Sequence, residues 1–373
     1  MSSGAICFAN RLVIFSNNDY QNFPYSLNDS FDQFDVLRRV HSLEFSSDEA
    51  FKSKVSFDET SARPTTLTIV LHADSTLDAS GIIQRIRSLA GMSAFIVLWH
   101  PEAVESPSLR IQAFINGANM VTCNENHLKD VLGTILAMQG TGQVMQAMQG
   151  TGQITCHVCG QQYMTAQDLW YHMPLFHIYH PNFQAQCQIC HEHVDNMQVH
   201  VHEEHGPSGP CKEVRCGIGA AVVVHRCSDN KFLMVQEFAN QGYWLPGGMM
   251  DGLQEPLTTC AVRECLEEVG MEVEVKGLLQ IQHDMSAGKQ GWRLVTFYAQ
   301  LKEEAKPSEA KTVPDFESAG SCWVSAEELD HVPLRSETLP RKWFPLLSQQ
   351  PDFVIPPLKI PDHLEHLFRD VTL

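Results

Sequence analysis

Glu264, Glu267 and Glu268 stand at positions i, i+3 and i+4 within the run Arg-Glu-Cys-Leu-Glu-Glu-Val-Gly-Met at 263–271. On a helix that spacing puts all three carboxylates on one face. Like charges so arranged cost a helix roughly a few tenths of a kcal/mol per pair, so the cluster calls for a counter-charge. A hard divalent cation, Mg²⁺ or Mn²⁺, suits carboxylate oxygens. Held there, it would supply positive charge to an anionic ligand and acidify a bound water.

A second group has the spacing of soft-metal ligands. Cys156-x2-Cys159-x12-His172-x4-His177 is the pattern of a two-cysteine, two-histidine zinc finger, with Tyr163 and Leu169 placed as its small core. Cys187-x2-Cys190 follows, with His200, His202 and His205 downstream. Cys187, Cys190, His200 and His205 form the favoured Zn²⁺ set, with His202 as a substitute. Between residues 155 and 205 there is no lysine or arginine, whereas Asp168, Glu192, Asp195, Glu203 and Glu204 are acidic. Phosphate-backbone affinity comes mainly from basic side chains that displace counterions. The fingers therefore read as a structural spacer or a protein-binding module, and nucleic acid is not an expected partner.

The elements that must carry the first group can be read around it. Pro256 suits a first helical turn, Leu257, Ala261, Cys265 and Val269 recur as a buried stripe, and Gly270 can end the helix in the left-handed conformation. This leaves the acids and Arg263 facing away. Upstream, Trp244, Leu245, Pro246, Gly247 and Gly248 read as a strand end entering a glycine turn, where backbone amides can approach phosphate or metal. Segments 219–224, 232–236, 293–299 and 322–324 read as buried strands.

Gly248 through Met271 resembles the Nudix box, G-x5-E-x7-R-E-U-x-E-E-x-G-U, with Glu255, Arg263, Glu264, Glu267, Glu268, Gly270 and Met271 in their places. Six residues rather than five separate Gly248 from Glu255, so the loop around Met250, Asp251 and Gly252 carries an insertion. The resemblance runs from about Cys216 to Leu347 and implies a mixed sheet between helices, an α/β/α sandwich, and hydrolysis of a nucleoside diphosphate-linked compound. It assigns Glu264, Glu267 and Glu268 as metal ligands, with one of them or a downstream acid as base. It makes Gly247, Gly248 and Glu255 the phosphate loop and pairs Arg263 with a carboxylate, Glu255 foremost. Glu317, ahead of the strand 322–324, is the auxiliary acid. Within the family, the course through Trp292, Glu317, Trp323 and Pro333, Leu334 and Arg335 looks most like the branch that acts on oxidised guanine nucleoside diphosphates. Trp292, Phe297 or Tyr243 could line a slot for a flat base.

The N-terminal part alternates strand-like segments at 11–15, 67–71, 94–98 and 119–122 with helical patterns at 81–89 and 126–132. That alternation predicts a parallel, doubly wound, flavodoxin-like sheet. Gly117 and Ala118 before the last strand give it the look of a receiver domain, which needs an acid pair, an aspartate and a lysine at its strand ends. Ser16 and Asn17, His72, and Cys123 and Asn124 hold those places, while Asp19 and Asp74 are displaced. A pseudo-receiver used for docking or dimerisation is the expectation.

The 373 residues therefore divide into an α/β multidomain chain: a receiver-like unit at 1–136, a flexible repeat linker at 137–153, two fingers at 154–206, a Nudix domain at 212–350 and a proline-rich tail at 351–373. Met-Gln-Gly-Thr-Gly-Gln at 138–143 recurs at 148–153, which carries the linker reading, and the prolines and glycines of 206–210 read as a hinge. The formal charge of −18 argues against coating a polyanion. Of twelve cysteines, four sit in finger spacings and the rest are scattered, which fits a reducing compartment, cytoplasm or nucleus. No segment is apolar enough to span a membrane. The rival to a hydrolase is a non-catalytic nucleotide-sensing adaptor that recruits protein partners through its fingers and pseudo-receiver.

Overall fold

The computed structural model describes residues 9–16, 36–41, 65–73, 79–90, 94–144, 154–156, 158–159, 164–177, 185–187, 189–206, 216–238, 241–252, 254–284, 291–315, 317–351 and 353. The chain divides into two compact units, residues 1–103, 109–210 and 312–316 in one, and residues 104–108, 211–311 and 317–373 in the other. No helix among the described residues is long and apolar enough to cross a membrane.

The first unit holds five parallel strands: β1 (Ala9–Ser16), β2 (Val36–His41), β3 (Thr65–His72), β4 (Phe95–Trp99) and β5 (Met120–Thr122). Their order, β2-β1-β3-β4-β5, is that of a doubly wound flavodoxin-like sheet. Ile69, Val70 and Leu71 of β3 and Phe95 through Leu98 of β4 are fully buried, as central parallel strands covered on both faces must be. Helices α1 (Ala79–Ala90), α2 (Pro107–Ile115) and α3 (Glu125–Val144) follow β3, β4 and β5. Ser16 ends β1, His72 ends β3, and Cys123 and Asn124 follow β5. Asn17, Asp19 and Asp74 lie outside the described residues.

Helix α3 corrects the linker boundary. It runs to Val144, so residues 137–144, including the first copy of the repeat, are helical rather than loose. Asn124 Oδ1 accepts from the amides of Asn126 and His127 at its start, and Leu128, Val131, Leu132 and Ile135 anchor it in the core. A helix already nucleated gains one bond per added residue, which offsets a glycine penalty of about 1 kcal/mol. The second copy and the hinge at 207–210 lie outside the described residues, as does the tail beyond Phe353.

The two Cys/His segments belong to this same unit. Ile154 and Met164 form an antiparallel bridge ahead of α4 (Ala166–His177), and β6 (Ala185–Gln186) and β7 (His193–Val194) pair ahead of α5 (Met197–His205). Thr165 and Asp168 cap α4 reciprocally, and Asn196 caps α5 through the amides of Gln198 and Val199. Cys156, Met164, Leu169, Met173, Cys187, Met197 and Val201 make one core shared by both Cys/His segments. Tyr163, the other expected core residue, is outside the described residues. The end of α4 then reaches the α/β layer: Leu175 and Phe176 enter its core, and Asn119 Nδ2 donates to their carbonyls at 3.3 and 2.9 Å. Phe95 and Phe176 meet edge to face, ring centroids 5.2 Å apart.

The second unit holds a seven-stranded mixed sheet built from β8 (Cys216–Arg226), β9 (Lys231–Gln236), β10 (Tyr243–Trp244), β11 (Gly247–Met249), β12 (Val273–Asp284), β13 (Gly291–Leu301) and β14 (Gly320–Ser325). Strands β8 and β13 run parallel at its centre, β12 lies beyond β13, and β9 is flanked by β10 and β14. Helix α6 (Leu257–Val269) buries Cys260, Ala261, Cys265 and Val269 completely, and Gly270 ends it at φ 67° with its amide on the carbonyls of Cys265 and Leu266. Helix α7 (Thr338–Gln349) packs Phe344 against Phe232, rings stacked 4.2 Å apart.

Candidate active site and metal centres

The site is built where β11 meets α6. Strand β11 pairs antiparallel with β8, Gly248 opposite Ala220. Gly247 takes φ 155° and has no room for a Cβ against the backbone of Ala220 and Ala221, while a Cβ on Gly248 would overlap the carboxylate of Glu264. Gly247 donates its amide to Glu268 Oε2 at 2.7 Å. Glu264 is therefore buried and Glu268 half-buried, both turned to the glycine turn, and only Glu267 of the three is exposed. This corrects the expectation that all three acids face away. At about 100° per residue, Glu268 lies about 40° around α6 from Glu264 and Glu267 about 60° to the other side, so Glu267 and Glu268 are about 100° apart.

Arg263 ties the acids together. Its Nε and Nη2 fork onto Glu255 at 2.9 and 3.0 Å, its Nη1 donates to Glu264 and Glu267 at 2.9 Å each, and Nη2 also reaches the Met249 carbonyl at 2.8 Å. The hydrogen bond from Arg263 holds the Glu255 carboxyl below the usual range. In the preceding loop Gly252 takes φ 101°, and Asp251 donates its amide to Glu255 at 2.7 Å. Glu255 thus reaches Arg263 in spite of the insertion.

Two further acids arrive from the sheet. Glu317 is exposed in the loop before β14; next to it Ser318 Oγ donates to the Glu268 carbonyl at 2.5 Å, and the Ala319 amide donates to Gln236 O at 2.7 Å. Glu237, directly after β9, is 7% exposed and accepts from Arg335 Nη1 at 2.9 Å. Sequence reasoning missed Glu237. The available signal was an acid ending an apolar strand just ahead of the glycine turn.

Burial, opposed by Arg263 and reinforced by Glu267 and Glu317, pushes the Glu264 carboxyl up to about 7. Enclosure of its carboxylate raises Glu268 well above the usual range, against the Gly247 amide and with the fields of Glu237, Glu264 and Glu317 adding to it. Oxygen donors that converge and resist ionising together fit a hard divalent cation, which removes both the burial and the repulsion penalties.

The Cys/His groups are assembled as ligand sets. In each of Cys156, Cys159, His172, His177 and Cys187, Cys190, His200, His205, one donor atom per residue lies within 4.8 Å of the others. Cys156 Sγ is 3.2 Å from His177 Nε2, Cys159 Sγ 3.4 Å from His172 Nε2, and in the second group both Sγ to Nε2 distances, to His205 and His200, are 3.3 Å. A tetrahedral centre with bonds of about 2.0 Å to nitrogen and about 2.3 Å to sulfur has nitrogen–sulfur edges of about 3.5 Å, so the residues fit Zn²⁺. His202 is not in either group; its ring lies parallel to that of Trp170, centroids 6.4 Å apart.

Of the aromatics considered for a base slot, Tyr243 and Phe297 are core residues at 0% and 6% exposure, and Trp292 is exposed at 40%. The first two lie in the buried interior of the sheet and are withdrawn as slot residues.

Residues 217–347 match the family model described as the NUDIX domain, and this segment of the chain is a Nudix domain. No curated protein matches the chain. Among solved structures it is similar to a NUDIX hydrolase from Nitrosomonas europaea, at 21% identity over 39% of this chain and 97% of that one, TM-score 0.30. A MutT NUDIX hydrolase from Burkholderia pseudomallei matches at 22% identity over 35% of this chain and 96% of that one, TM-score 0.29. An ADP-ribose pyrophosphatase from Streptococcus suis matches at 22% identity over 37% and 92%, TM-score 0.28.

Proposed function

We propose that the Nudix domain is a divalent-metal-dependent hydrolase that cleaves the diphosphate of a nucleoside diphosphate derivative. The observation that carries this reading is the convergence of Glu264 and Glu268 on the Gly247–Gly248 turn, with Glu317 beside them. Glu264, Glu267 and Glu268 would hold Mg²⁺ or Mn²⁺, which when bound supplies charge neutralisation and an acidified water. Arg263 and Glu255 act as positioning residues, since their hydrogen bonds are spent on each other and on the metal-facing acids. Glu317, exposed at the rim, is the candidate for taking the proton of the attacking water. An oxidised guanine base is the candidate for the nucleoside, with Trp292 as the exposed ring it would stack on.

The two Cys/His groups are proposed as structural Zn²⁺ centres, and the α/β layer as a pseudo-receiver for docking or dimerisation. The test is product release with Mg²⁺ from a panel of nucleoside di- and triphosphates, oxidised guanine forms, ADP-ribose and dinucleoside polyphosphates. Wild type should turn over a panel member and Glu267→Gln should not, with zinc content equal in both. Silence of the wild type across the panel would favour the adaptor.

A further inference from the structure

Arg263 cannot serve a substrate while its donors are taken up by Glu255, Glu264, Glu267 and the Met249 carbonyl. Lys311 Nζ is turned onto the Glu267 carbonyl at 2.8 Å. An incoming diphosphate, meeting the carboxylates Glu237, Glu264, Glu268 and Glu317, needs a cation on its outer side besides any metal between it and the acids.

Arg335 is built for that place. Its main chain is pinned: its amide donates to Tyr243 O at 2.9 Å, the Tyr243 amide to Pro333 O at 2.7 Å, and Leu334 bridges to Tyr243. Gly242, at φ 100°, has no space for a Cβ against Pro333 O and the Arg335 amide, so the two segments lie in direct backbone contact. The side chain is loose by comparison. It is 53% exposed and makes one hydrogen bond among the described residues, from Nη1 to the buried Glu237. Glu237 follows Gln236, whose carbonyl receives the Ala319 amide two residues after Glu317, and Ser318 between them bonds Glu268. Arg335 therefore stands at the end of the sheet where the acids gather, on a fixed backbone, with most of its planar fork unused.

We infer that Arg335 binds an anionic phosphoryl oxygen of the substrate, with Glu237 as the residue that holds the guanidinium in waiting. This rests on the hydrolase reading for the word substrate but not for the binding itself. A guanidinium offers two parallel donors to a phosphoryl group, and Glu237 keeps one occupied until the stronger anion arrives.

The experiment uses the full chain. Wild type, Arg335→Ala and Arg335→Lys are assayed with Mg²⁺ on the panel member turned over fastest, and their affinities for ADP and AMP are measured by equilibrium dialysis with Ca²⁺ in place of Mg²⁺. Arg335→Ala should raise KM and weaken ADP binding by about tenfold or more, as loss of a charged hydrogen bond does, with kcat within about threefold. AMP, with one phosphoryl group fewer, should lose less, and lysine should recover part of the ADP affinity. ADP affinity and KM within about twofold of wild type, or a fall in kcat alone, would overturn the inference. If wild type turns over nothing, the hydrolase reading falls, and the ADP measurement still decides the role of Arg335.

Discussion

Gly248 and Glu264 claim the same space, since a Cβ on Gly248 would overlap both carboxylate oxygens of Glu264. Gly248 is not among the positive-φ residues, so alanine is acceptable to the backbone and objectionable only to that carboxylate. Gly248→Ala should displace Glu264 and lower kcat/KM by about a hundredfold, the order of loss that a misplacement near 1 Å produces. The melting midpoint should fall by only a few degrees, and circular dichroism melts beside kinetics separate the two effects.

Protons and metal compete for the same acids. Glu264 sits at about 7 and Glu268 well above its ordinary value, so each cation bound must displace protons, and affinity for Mn²⁺ should rise as pH goes from 6 to 8. Calorimetry in buffers of different ionisation enthalpy would count the protons released. For the metal-free fold the sign is opposite. Raised folded-state values mean that the native state binds more protons than the unfolded one above the ordinary carboxylate range, so stability should fall as pH climbs through 7. A metal-free midpoint higher at pH 8 than at pH 6 would contradict this assignment of burial.

Arg263→Lys keeps one charge and loses the fork that spans Glu255, Glu264 and Glu267. A lysine cannot reproduce the planar two-sided geometry. The expected result is a loss of about 1–3 kcal/mol in unfolding free energy, together with a drop in kcat/KM larger than the change in KM. Urea titration and steady-state kinetics check the two parts.

Two zinc ions per chain are expected by elemental analysis, and one in either Cys156→Ser or Cys187→Ser. The Cys156→Ser chain should also be less stable in its α/β layer, because His172 and His177 lie on the helix that delivers Leu175 and Phe176 to that core. Independently of metal, Phe176→Ala should cost about 3–5 kcal/mol. Hydrogen exchange at the amides of β4 is the readout, and unchanged protection there would count against the docking.

The acids of α6, the glycine turn and both Cys/His sets were legible because each is a local pattern: a helical spacing, a tight turn and ligand intervals that survive in any surroundings. Strands such as 219–224 and 232–236 were legible for the same reason, as continuous apolar runs. What local pattern could not carry was direction and distance. Which side of α6 meets Gly248 decides that Glu264 is buried and Glu267 exposed, and that depends on packing between segments. Glu237 and Arg335 are 98 positions apart and show no motif. The choice of His205 over His202 depended on where α5 points its turns, and the extent of α3 on a nucleus formed by residues well before the glycine repeat.

The order in which the chain leaves the ribosome gives the Asn119–Phe176 contact a further meaning. The five strands found among the described residues of the α/β layer are available once Thr122 has emerged, yet its apolar interior lacks Leu175 and Phe176 until the helix that carries His172 and His177 is made. N-terminal segments generally begin folding first during synthesis, whereas the contact of Asn119 with Phe176 spans 57 residues. The helix that supplies Leu175 and Phe176 also carries two donors of the first Cys/His group. With zinc as the ion proposed for that group, a nascent chain starved of it should expose the sheet's interior to chaperones and proteases for longer.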